Sequence, residues 1–306
     1  MKRTILISGL ILLLVSMIHA ETIDSHSGEY GFQFLKFNLS PALSAQAGTG
    51  AFYSPSASVI AQDPVAALNF KTKSVHFSQM QLNHFDANAY SVAWRNSSLN
   101  RSLGLSFNTI DYGKIEERLE NGTLIGEYYP IDINMGLNYA QRIASNHLFG
   151  MTVHGLFTKI HTESALGMSF DFGYLWQTPL QNTNLFANIK NIGFTDKMKN
   201  EKIEIPYTFE VGTSYSKDFT DLLKMNMEAK LVQHEDDDDP KYNLGTQISM
   251  YNMLHLRAGY KFNHDIESLT TGLGIHWNRF DVDYAYTSND FEDLGNTHHI
   301  GLTFYY

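Results

Sequence analysis

The sequence predicts an all-β protein: a transmembrane antiparallel β-barrel of about 14 strands, with an N-terminal small-residue segment inside the lumen as a plug. From about Ser74 onward, apolar and polar residues alternate with period two in one segment after another. Many of these segments run for ten residues or more. Ordinary strands have roughly 5–6 residues, whereas a tilted membrane-spanning strand needs about 9–11. No long segment with helical periodicity competes with this pattern.

The composition excludes several classes of protein. The 306 residues carry a formal net charge of −10, which argues against nucleic acid as a partner because a nucleic-acid binder needs a basic surface. Hydrophobic residues make up 43% of the chain, too many for a disordered protein. The absence of cysteine excludes disulfides, thiolate metal sites and cysteine nucleophiles.

Residues 1–20 have the features of a secretory signal peptide. Lys2 and Arg3 precede an apolar run from Ile5 to Met17, and Ala20 offers a cleavage site. The run of about 13 residues is shorter than the ~17–25 that a transmembrane anchor needs. We therefore expect export, after which the chain is either soluble or a membrane barrel.

Fourteen segments alternate in this way, and each predicts one strand. They lie near residues 74–82, 87–95, 101–112, 131–143, 147–160, 164–177, 184–192, 207–217, 222–233, 241–250, 253–263, 268–278, 280–288 and 297–306. In one of them Leu273, Ile275 and Trp277 share a face, opposite Gly272, Gly274 and His276. Alternation alone fits a soluble sandwich with its apolar face inward, or a membrane barrel with its apolar face toward lipid.

Two features favour lipid on the apolar face. The polar face carries large charged groups in mid-strand, which we interpret as lumen charges: Arg142, Glu210, Glu228, Lys230, Arg257 and Lys261. Aromatic residues cluster toward segment ends, as in interfacial girdles: Tyr112, Tyr128, Tyr129, Trp176, Tyr207, Tyr251 and Trp277. Connections also alternate between short turns and longer loops, and the longer ones are 113–130, 193–206, 234–240, 264–267 and 289–296. This alternation predicts an even strand count with the longer loops outside.

The chain divides into the signal peptide (1–20), an N-terminal segment (21–70) and the barrel (71–306). The N-terminal segment is rich in small residues, and its stretch before Pro64 predicts a short helix, because the residue ahead of proline avoids helical geometry. Its size suits a plug in the lumen; the alternative is a periplasmic arm. Candidate plug or gating residues are Gly48, Gly50, Ala51, Phe52, Asp63 and Pro64.

At these residues the chain resembles the PorV/PorQ family of outer-membrane proteins, whose barrels are similar to the FadL fatty-acid transporter fold. The matching motifs of the N-terminal segment are Phe34-Leu35-Lys36, Gly48-Thr49-Gly50-Ala51-Phe52, Ala57-Ser58-Val59-Ile60 and Asp63-Pro64-Val65-Ala66-Ala67-Leu68. Later matches are Asn188 to Gly193 with Ile205 to Gly212, and Asp283 to Tyr286 with Leu294 to Leu302. The sequence departs from the family at Pro55-Ser56, where an acidic pair is usual, and at Asp63, where the family has asparagine.

This resemblance implies a role in type IX protein secretion or in surface attachment of secreted proteins, in the bacterial outer membrane. The implied partners are outer-membrane lipid and, at the outer loops, secretion-system components or secreted proteins. The alternative from the same fold is a FadL-like channel or transporter for a hydrophobic small molecule, gated by residues 31–70.

We expect neither an enzyme nor a cofactor or metal, because no set of residues in the sequence supplies a complete catalytic arrangement. The acidic run 235–239 could hold Ca²⁺ through its carboxylates, but it lacks the spacing of a calcium loop, and a solvated charged loop is the favoured interpretation. One prediction for Glu228, Lys230, Arg257 and Lys261 is a cross-strand ladder, and the favoured interpretation is structural pairing of buried charges.

Overall fold

A computed structural model describes residues 30–82, 87–98, 100–199, 201–290 and 295–306. The predicted signal peptide lies outside the described residues. Within these ranges, no helix is both long and apolar enough to cross a membrane.

Strands account for most of the described chain. They are β1 (Lys73–Leu82), β2 (Ala87–Ser97), β3 (Arg101–Asp111), β4 (Ile115–Arg118), β5 (Leu124–Tyr128), β6 (Ile131–Ala144), β7 (His147–Ile160), β8 (Glu163–Gln177), β9 (Thr183–Thr195), β10 (Lys197–Met198), β11 (Glu201–Lys202), β12 (Thr208–Thr220), β13 (Leu223–His234), β14 (Lys241–Met250), β15 (Leu254–Phe262), β16 (Glu267–Trp277), β17 (Phe280–Asn289) and β18 (Thr297–Tyr305).

Fourteen of the strands in the described ranges form one closed antiparallel barrel, which confirms the predicted fold class. Each of the 14 predicted segments corresponds to one barrel strand, and chain neighbours pair all around the wall. The barrel closes where β1 pairs with β18, with Ser74 opposite Tyr305. Closure leaves no unpaired sheet edge toward lipid, which a membrane requires of any strand-built wall.

The two faces of the wall are as predicted. On β16, Leu273 and Ile275 are exposed on the outside, and Trp277 is 72% exposed. Gly272 and Gly274 face inward, beside Ala45 and Arg257 respectively. The alternating apolar face therefore covers the outside of the barrel, where lipid is the matching solvent.

The core lies inside the barrel, between the wall and residues 30–70. This segment, here called the plug, contains helix α1 (Pro41–Ser44) and four 3₁₀ turns, Gln33–Lys36, Ala51–Tyr53, Ala57–Ala61 and Ala66–Asn69. The turn Ala57–Ala61 occupies the predicted short helix before Pro64. Buried apolar side chains of the plug pack against inward-facing residues of the wall. The plug residues include Leu43, Val59, Ile60 and Leu68, and the wall residues include Leu148, Leu175 and Phe186.

The longer connections share one side of the barrel, which we assign as the outer side because short turns are periplasmic in such barrels. Two of these connections contain hairpins that the sequence did not predict. Strands β4 and β5 pair within 113–130, and β10 and β11 pair within 193–206.

One residue of the predicted aromatic girdle is placed differently. Tyr112 is half-buried and donates a 2.7 Å hydrogen bond from its hydroxyl to Asp132, a lumen-facing carboxylate. It is therefore turned inward, away from lipid. Tyr207, Tyr251 and Trp277 are exposed at strand ends, as an interfacial girdle requires.

Candidate functional site: the plug and its charged surroundings

The first half of the plug makes a tight turn that only small residues permit. Proline at the first position of α1 suits the helix start, because its missing N–H would have no helical partner. The chain then reverses through Gly48 (φ 76°) and Gly50 (φ 91°), both left-handed. The Gly48 backbone N–H donates to the Leu43 carbonyl over 2.8 Å, which closes the turn.

The wall is shaped to receive this turn. A Cβ on Gly259 of β15 would stand 2.4 Å from the Gln46 carbonyl carbon. A Cβ on Gly245 of β14 would stand 2.0 Å from the Thr49 hydroxyl oxygen. Glycines in the wall and small residues in the plug therefore allow backbone to pack directly on backbone.

The second half of the plug is fixed by hydroxyl groups and one arginine. The Ser56 hydroxyl accepts from the Ser58 backbone N–H and lies 2.9 Å from the Thr303 hydroxyl of β18. Arg95 of β2 is fully buried and donates to the carbonyl oxygens of Ser56 (3.3 Å) and Phe70 (3.2 Å). Through these two hydrogen bonds, the Arg95 guanidinium attaches the start and the end of this half of the plug, at Ser56 and Phe70, to the wall.

Asp63 and Pro64 attach the plug to the middle of the wall. One Asp63 oxygen accepts the backbone N–H groups of Val65 (2.9 Å) and Ala66 (3.0 Å). The other accepts the Asn188 side-chain amide of β9 over 2.8 Å. The Pro64 carbonyl accepts the Asn138 amide of β6 over 3.0 Å. Burial raises the pKa of Asp63 above its usual value.

Ala51 and Phe52, the remaining candidate plug residues, are both buried. The Phe52 ring packs on Phe186 of β9, with ring centroids 4.8 Å apart. All six candidate plug residues therefore touch or face the wall of the lumen. The structure shows their packing, while a gating motion stays a prediction.

A charge network lies beside Asp63. The Glu210 carboxylate of β12 receives two ammonium groups on the same oxygen, Lys190 of β9 at 3.0 Å and Lys230 of β13 at 3.1 Å. Its other oxygen accepts the Asn188 amide over 3.2 Å. Glu228 is also buried and receives the Gly50 backbone N–H.

The predicted ladder among Glu228, Lys230, Arg257 and Lys261 does not form. Arg257 pairs with Asp283 of β17 over 2.6 Å, and Lys261 pairs with Glu267. Each cation thus pairs with a carboxylate that the prediction did not include. Barrel curvature and strand stagger choose these neighbours, and neither is visible in a local pattern.

Arg142 lies apart from these groups, at the short-turn end of β6. It donates to the Ser145 carbonyl (2.7 Å) and to the Gln177 amide oxygen (3.0 Å), so it belongs to the periplasmic rim. Of the six predicted lumen charges, it alone is remote from the plug turn.

The acidic run 235–239 is only in part the solvated loop that was favoured. Asp236 pairs with Lys36 of the plug over 2.7 Å, and Asp237 pairs with Lys241 over 2.8 Å. Burial alone would raise the pKa of Asp236, but the hydrogen bonds from Lys36 and Gln33 outweigh it and hold that pKa below the usual value. The first part of the run, Asp236 and Asp237, is therefore buried against Lys36 of the plug and Lys241, whereas Asp238 and Asp239 are exposed to solvent as the favoured interpretation expects. No cluster of three metal-ligating side chains occurs in the described ranges.

Several site residues were missed by the sequence reasoning, namely Lys36, Arg95, Asn188, Lys190 and Asp283. Lys190 and Asp283 stand at lumen-face positions of predicted strands, so the alternation itself could have identified them. Arg95 also stands on the inward face of its predicted strand, whereas Lys36 gave no such signal, because it lies before the first strand and its partner Asp236 is in a loop far along the chain.

A cavity of about 120 Å³ remains between the plug and the outer half of the wall. Its lining combines plug backbone with Lys190, Lys230, Lys261 and His264. Burial, followed by the charge of Lys261, lowers the pKa of His264 to about 2, so this imidazole is neutral. Apolar residues, including Leu35, Met80 and Val232, complete the lining of this cavity.

A second space of about 230 Å³ opens in the wall beside β9. Pairing between β9 and β12 ends at Lys190 opposite Thr208 in the described strands, although β9 continues to Thr195 along β8. The lining of this space is mixed: it includes the apolar side chains of Ile192, Phe194, Ile203 and Ile205 and the polar side chains of Asn191, Glu204 and Glu235.

Comparison of the barrel with solved structures supports its fold. It is similar to the toluene transporter TodX of Pseudomonas putida (TM-score 0.60, 11% identity, 87% of this chain and 97% of that one). It is also similar to the toluene transporter TbuX of Ralstonia pickettii (0.58, 12%, 87% and 97%). A Pseudomonas aeruginosa FadL homologue matches with a TM-score of 0.52 at 10% identity, over 86% of this chain and 97% of that one.

No curated protein matches the sequence. The family model of the type IX secretion system membrane protein PorP/SprF matches residues 51–304, which covers the second half of the plug and the barrel up to the penultimate residue of β18. The protein therefore lies in the bacterial outer membrane, and it belongs to the PorP/SprF family of type IX secretion system membrane proteins.

Proposed function

We propose that this protein supports type IX secretion as a non-enzymatic partner of the translocation machinery, and that secreted proteins do not pass through its own barrel. Family membership supports the link to secretion. The plug supports the role of partner: its buried residues pack inside the barrel, and the cavity between the plug and the outer half of the wall has about 120 Å³. That volume holds a few water molecules and no polypeptide.

The outer hairpin β4–β5 is the proposed contact surface for secretion-system components or secreted proteins. It carries exposed apolar side chains, including Leu119, Leu124 and Ile125. Ion pairs brace it, Lys114 with Glu127 at 2.9 Å and Arg118 with Glu116 at 2.6 Å. A braced hairpin with exposed apolar groups can bind a partner with little loss of conformational entropy.

The test is a gene deletion complemented with barrel variants, read out by the secreted and surface proteomes. We expect deletion to deplete secreted proteins and the native gene to restore them. A variant with residues 115–128 replaced by a short turn should insert normally and fail to restore secretion. A matched variant with 197–202 shortened is the control. Full restoration by the 115–128 variant would contradict the proposed contact surface, and an unchanged secretome after deletion would contradict the secretion role.

A second candidate function is a channel for a hydrophobic small molecule. The space beside β9 favours this function, because it lies where the wall loses its pairing on one side and because Ile192, Phe194, Ile203 and Ile205 contribute apolar groups to its lining. The polar lumen argues against it. If this function holds, Phe194→Asp should reduce uptake of an aromatic hydrocarbon, whereas Leu166→Asp on the exposed face of β8 should not, and secretion should be normal in both.

The N-terminal motifs also suggest a narrower kinship with PorV and PorQ. Asp63, where that family has asparagine, is a departure from it. This kinship stays a prediction, and attachment of secreted proteins to the surface is the activity that it would imply. Measuring whether deletion releases surface proteins into the medium, or retains them inside the cell, separates attachment from export.

A further inference from the structure

The luminal cavity contains a cluster of hydrogen-bond donors beside Gly48. The position that a Cβ on Gly48 would occupy is the reference point for their distances, and it marks the side of the residue on which the donors lie. The three nearest heavy atoms are the Asn38 side-chain nitrogen (3.5 Å), the Asn243 side-chain nitrogen (3.8 Å) and Lys230 Nζ (4.0 Å). All three are donors, and the four residues line the same cavity.

Both amides are held with their nitrogens toward this point. The Asn38 oxygen accepts the Ser40 backbone N–H over 3.0 Å, and a backbone N–H can only donate. The Asn243 oxygen lies 2.8 Å from His264 Nε2, which donates to it in the tautomer of the neutral ring that carries its proton on Nε2. The side-chain nitrogens of Asn38 and Asn243 are therefore available to donate hydrogen bonds into the cavity.

The local charge is positive at the same place. Lys190 and Lys230 share a single oxygen of Glu210, which is their only ion-pair partner in the described part of the chain. The charged side chains that line the cavity are mostly cationic, with Lys36, Lys190, Lys230 and Lys261 against Glu210 and Glu267. Further carboxylates lie nearby: Asp171 and Asp63 act on Lys190, and Glu228 acts on Lys230 and receives the Gly50 N–H.

We propose that the space beside Gly48 is a binding site for a small oxyanion of the carboxylate or phosphate class. Two neutral amide donors and one ammonium group match the oxygens of such an anion, and charge-assisted hydrogen bonds are the stronger kind. Gly48 keeps the space open because it has no side chain, and its left-handed conformation suits glycine. The cavity volume of about 120 Å³ limits the ligand to a few heavy atoms.

The test is calorimetric titration of the full-length mature protein in detergent with inorganic phosphate and, separately, acetate, at constant ionic strength near neutral pH. We expect saturable binding of at least one anion, with chloride competing poorly. Binding of phosphate alone, acetate alone or both supports the site and names its ligand class. Absence of binding by either anion overturns the proposal.

Variants assign any binding to this point. Lys230→Met and Asn243→Asp should each weaken binding by at least about tenfold, the loss of one charge-assisted contact. Lys190→Met is the matched control, because it removes the other ammonium group that pairs with Glu210 and leaves the donors beside Gly48 in place. Its effect on the binding constant should stay below about threefold. Equal losses in Lys190→Met and Lys230→Met would overturn the proposal.

Folding of each variant is checked by its heat-dependent mobility on gels. Asn38→Asp keeps the acceptor for the Ser40 N–H and replaces only the donor, so it reports on the site even if Lys230→Met fails to fold. We expect Asn38→Asp to weaken anion binding by the same tenfold as the other variants, to within about a factor of three. Undiminished binding by Asn38→Asp overturns the site.

Discussion

Asp63 of the plug accepts a 2.8 Å hydrogen bond from the side-chain amide of Asn188 on β9, and both residues are buried. The two residues are 125 positions apart in the chain. This contact joins the candidate plug to the Glu210 charge network, because Asn188 also donates to Glu210. The protonation of Asp63 therefore bears on how firmly the plug is held.

Replacing Asp63 with asparagine should change the pH dependence of stability. Burial raises the pKa of Asp63 in the folded protein. Such a group stabilises the folded state fully below its unfolded pKa of about 4, and this stabilisation is lost as the pH rises through the folded pKa. We expect the melting temperature of the native protein to fall as the pH rises from the unfolded pKa of Asp63 to its folded pKa. The melting temperature of Asp63→Asn should depend less on pH over the same range. Parallel curves for the two proteins would contradict this assignment.

Replacing Asp63 with alanine should lower stability at any pH. The variant leaves the backbone N–H groups of Val65 and Ala66 buried without their acceptor, at a cost of about 1–3 kcal/mol each. Asparagine retains one oxygen for these donors and is the matched control. Thermal melting followed by circular dichroism measures the difference, and equal melting of the two variants would exclude a capping role.

Adding one methyl group at Gly259 should disturb the packing of the plug turn at Gln46 against the wall. A Cβ there would meet the Gln46 carbonyl carbon at 2.4 Å, and backbone cannot move aside cheaply. We expect Gly259→Ala to destabilise by about 1–3 kcal/mol through overpacking. Gly155→Ala is the control, since a Cβ at that position has no neighbour within 4 Å. Equal stability of the two variants would show that the plug does not pack there.

Charge on the outer face of β16 should cost more than charge on its inner face. Ile275 is 46% exposed on the lipid side, whereas His276 hydrogen-bonds to Asp281 on the lumen side. Ile275 lies two residues before Trp277 at the end of the strand, so replacing it with arginine should cost less than the ~2–4 kcal/mol of a midplane position, but still more than His276→Arg. Folding titrations into lipid vesicles give both values. The reverse order would mean that the faces are exchanged.

Removing residues 40–70 should leave a barrel that inserts but melts at a lower temperature and conducts small ions. The deletion removes most of the apolar cluster in the lumen and both plug carbonyls that Arg95 serves. The matched variant is Arg95→Met, which loses the same carbonyl contacts and keeps the plug. Planar-bilayer conductance separates the two, because only the deletion should open the lumen. Unchanged conductance and melting after the deletion would contradict the plug assignment.

The strands and their faces were predictable because the information is local. Successive side chains on a strand point to opposite faces, so the alternation of Leu273, Ile275 and Trp277 with small or polar residues fixes which side meets lipid. The lengths of the segments then select a membrane barrel over a soluble sheet. The small residues around Gly48 likewise indicated close packing before any partner was known.

The partners of the lumen charges were decided by the tertiary structure alone. Lys36 meets Asp236 across 200 positions, and Tyr112 turns inward to Asp132, because plug and wall are brought together only when the barrel closes. Lys230 and Arg257 pair with Glu210 and Asp283, which barrel curvature places beside them. Sequence determined the strands, their faces and the small-residue turn, since each depends on neighbouring residues. Closure around the plug determined which buried charges meet, since electrostatic pairing depends on distance in space and not along the chain.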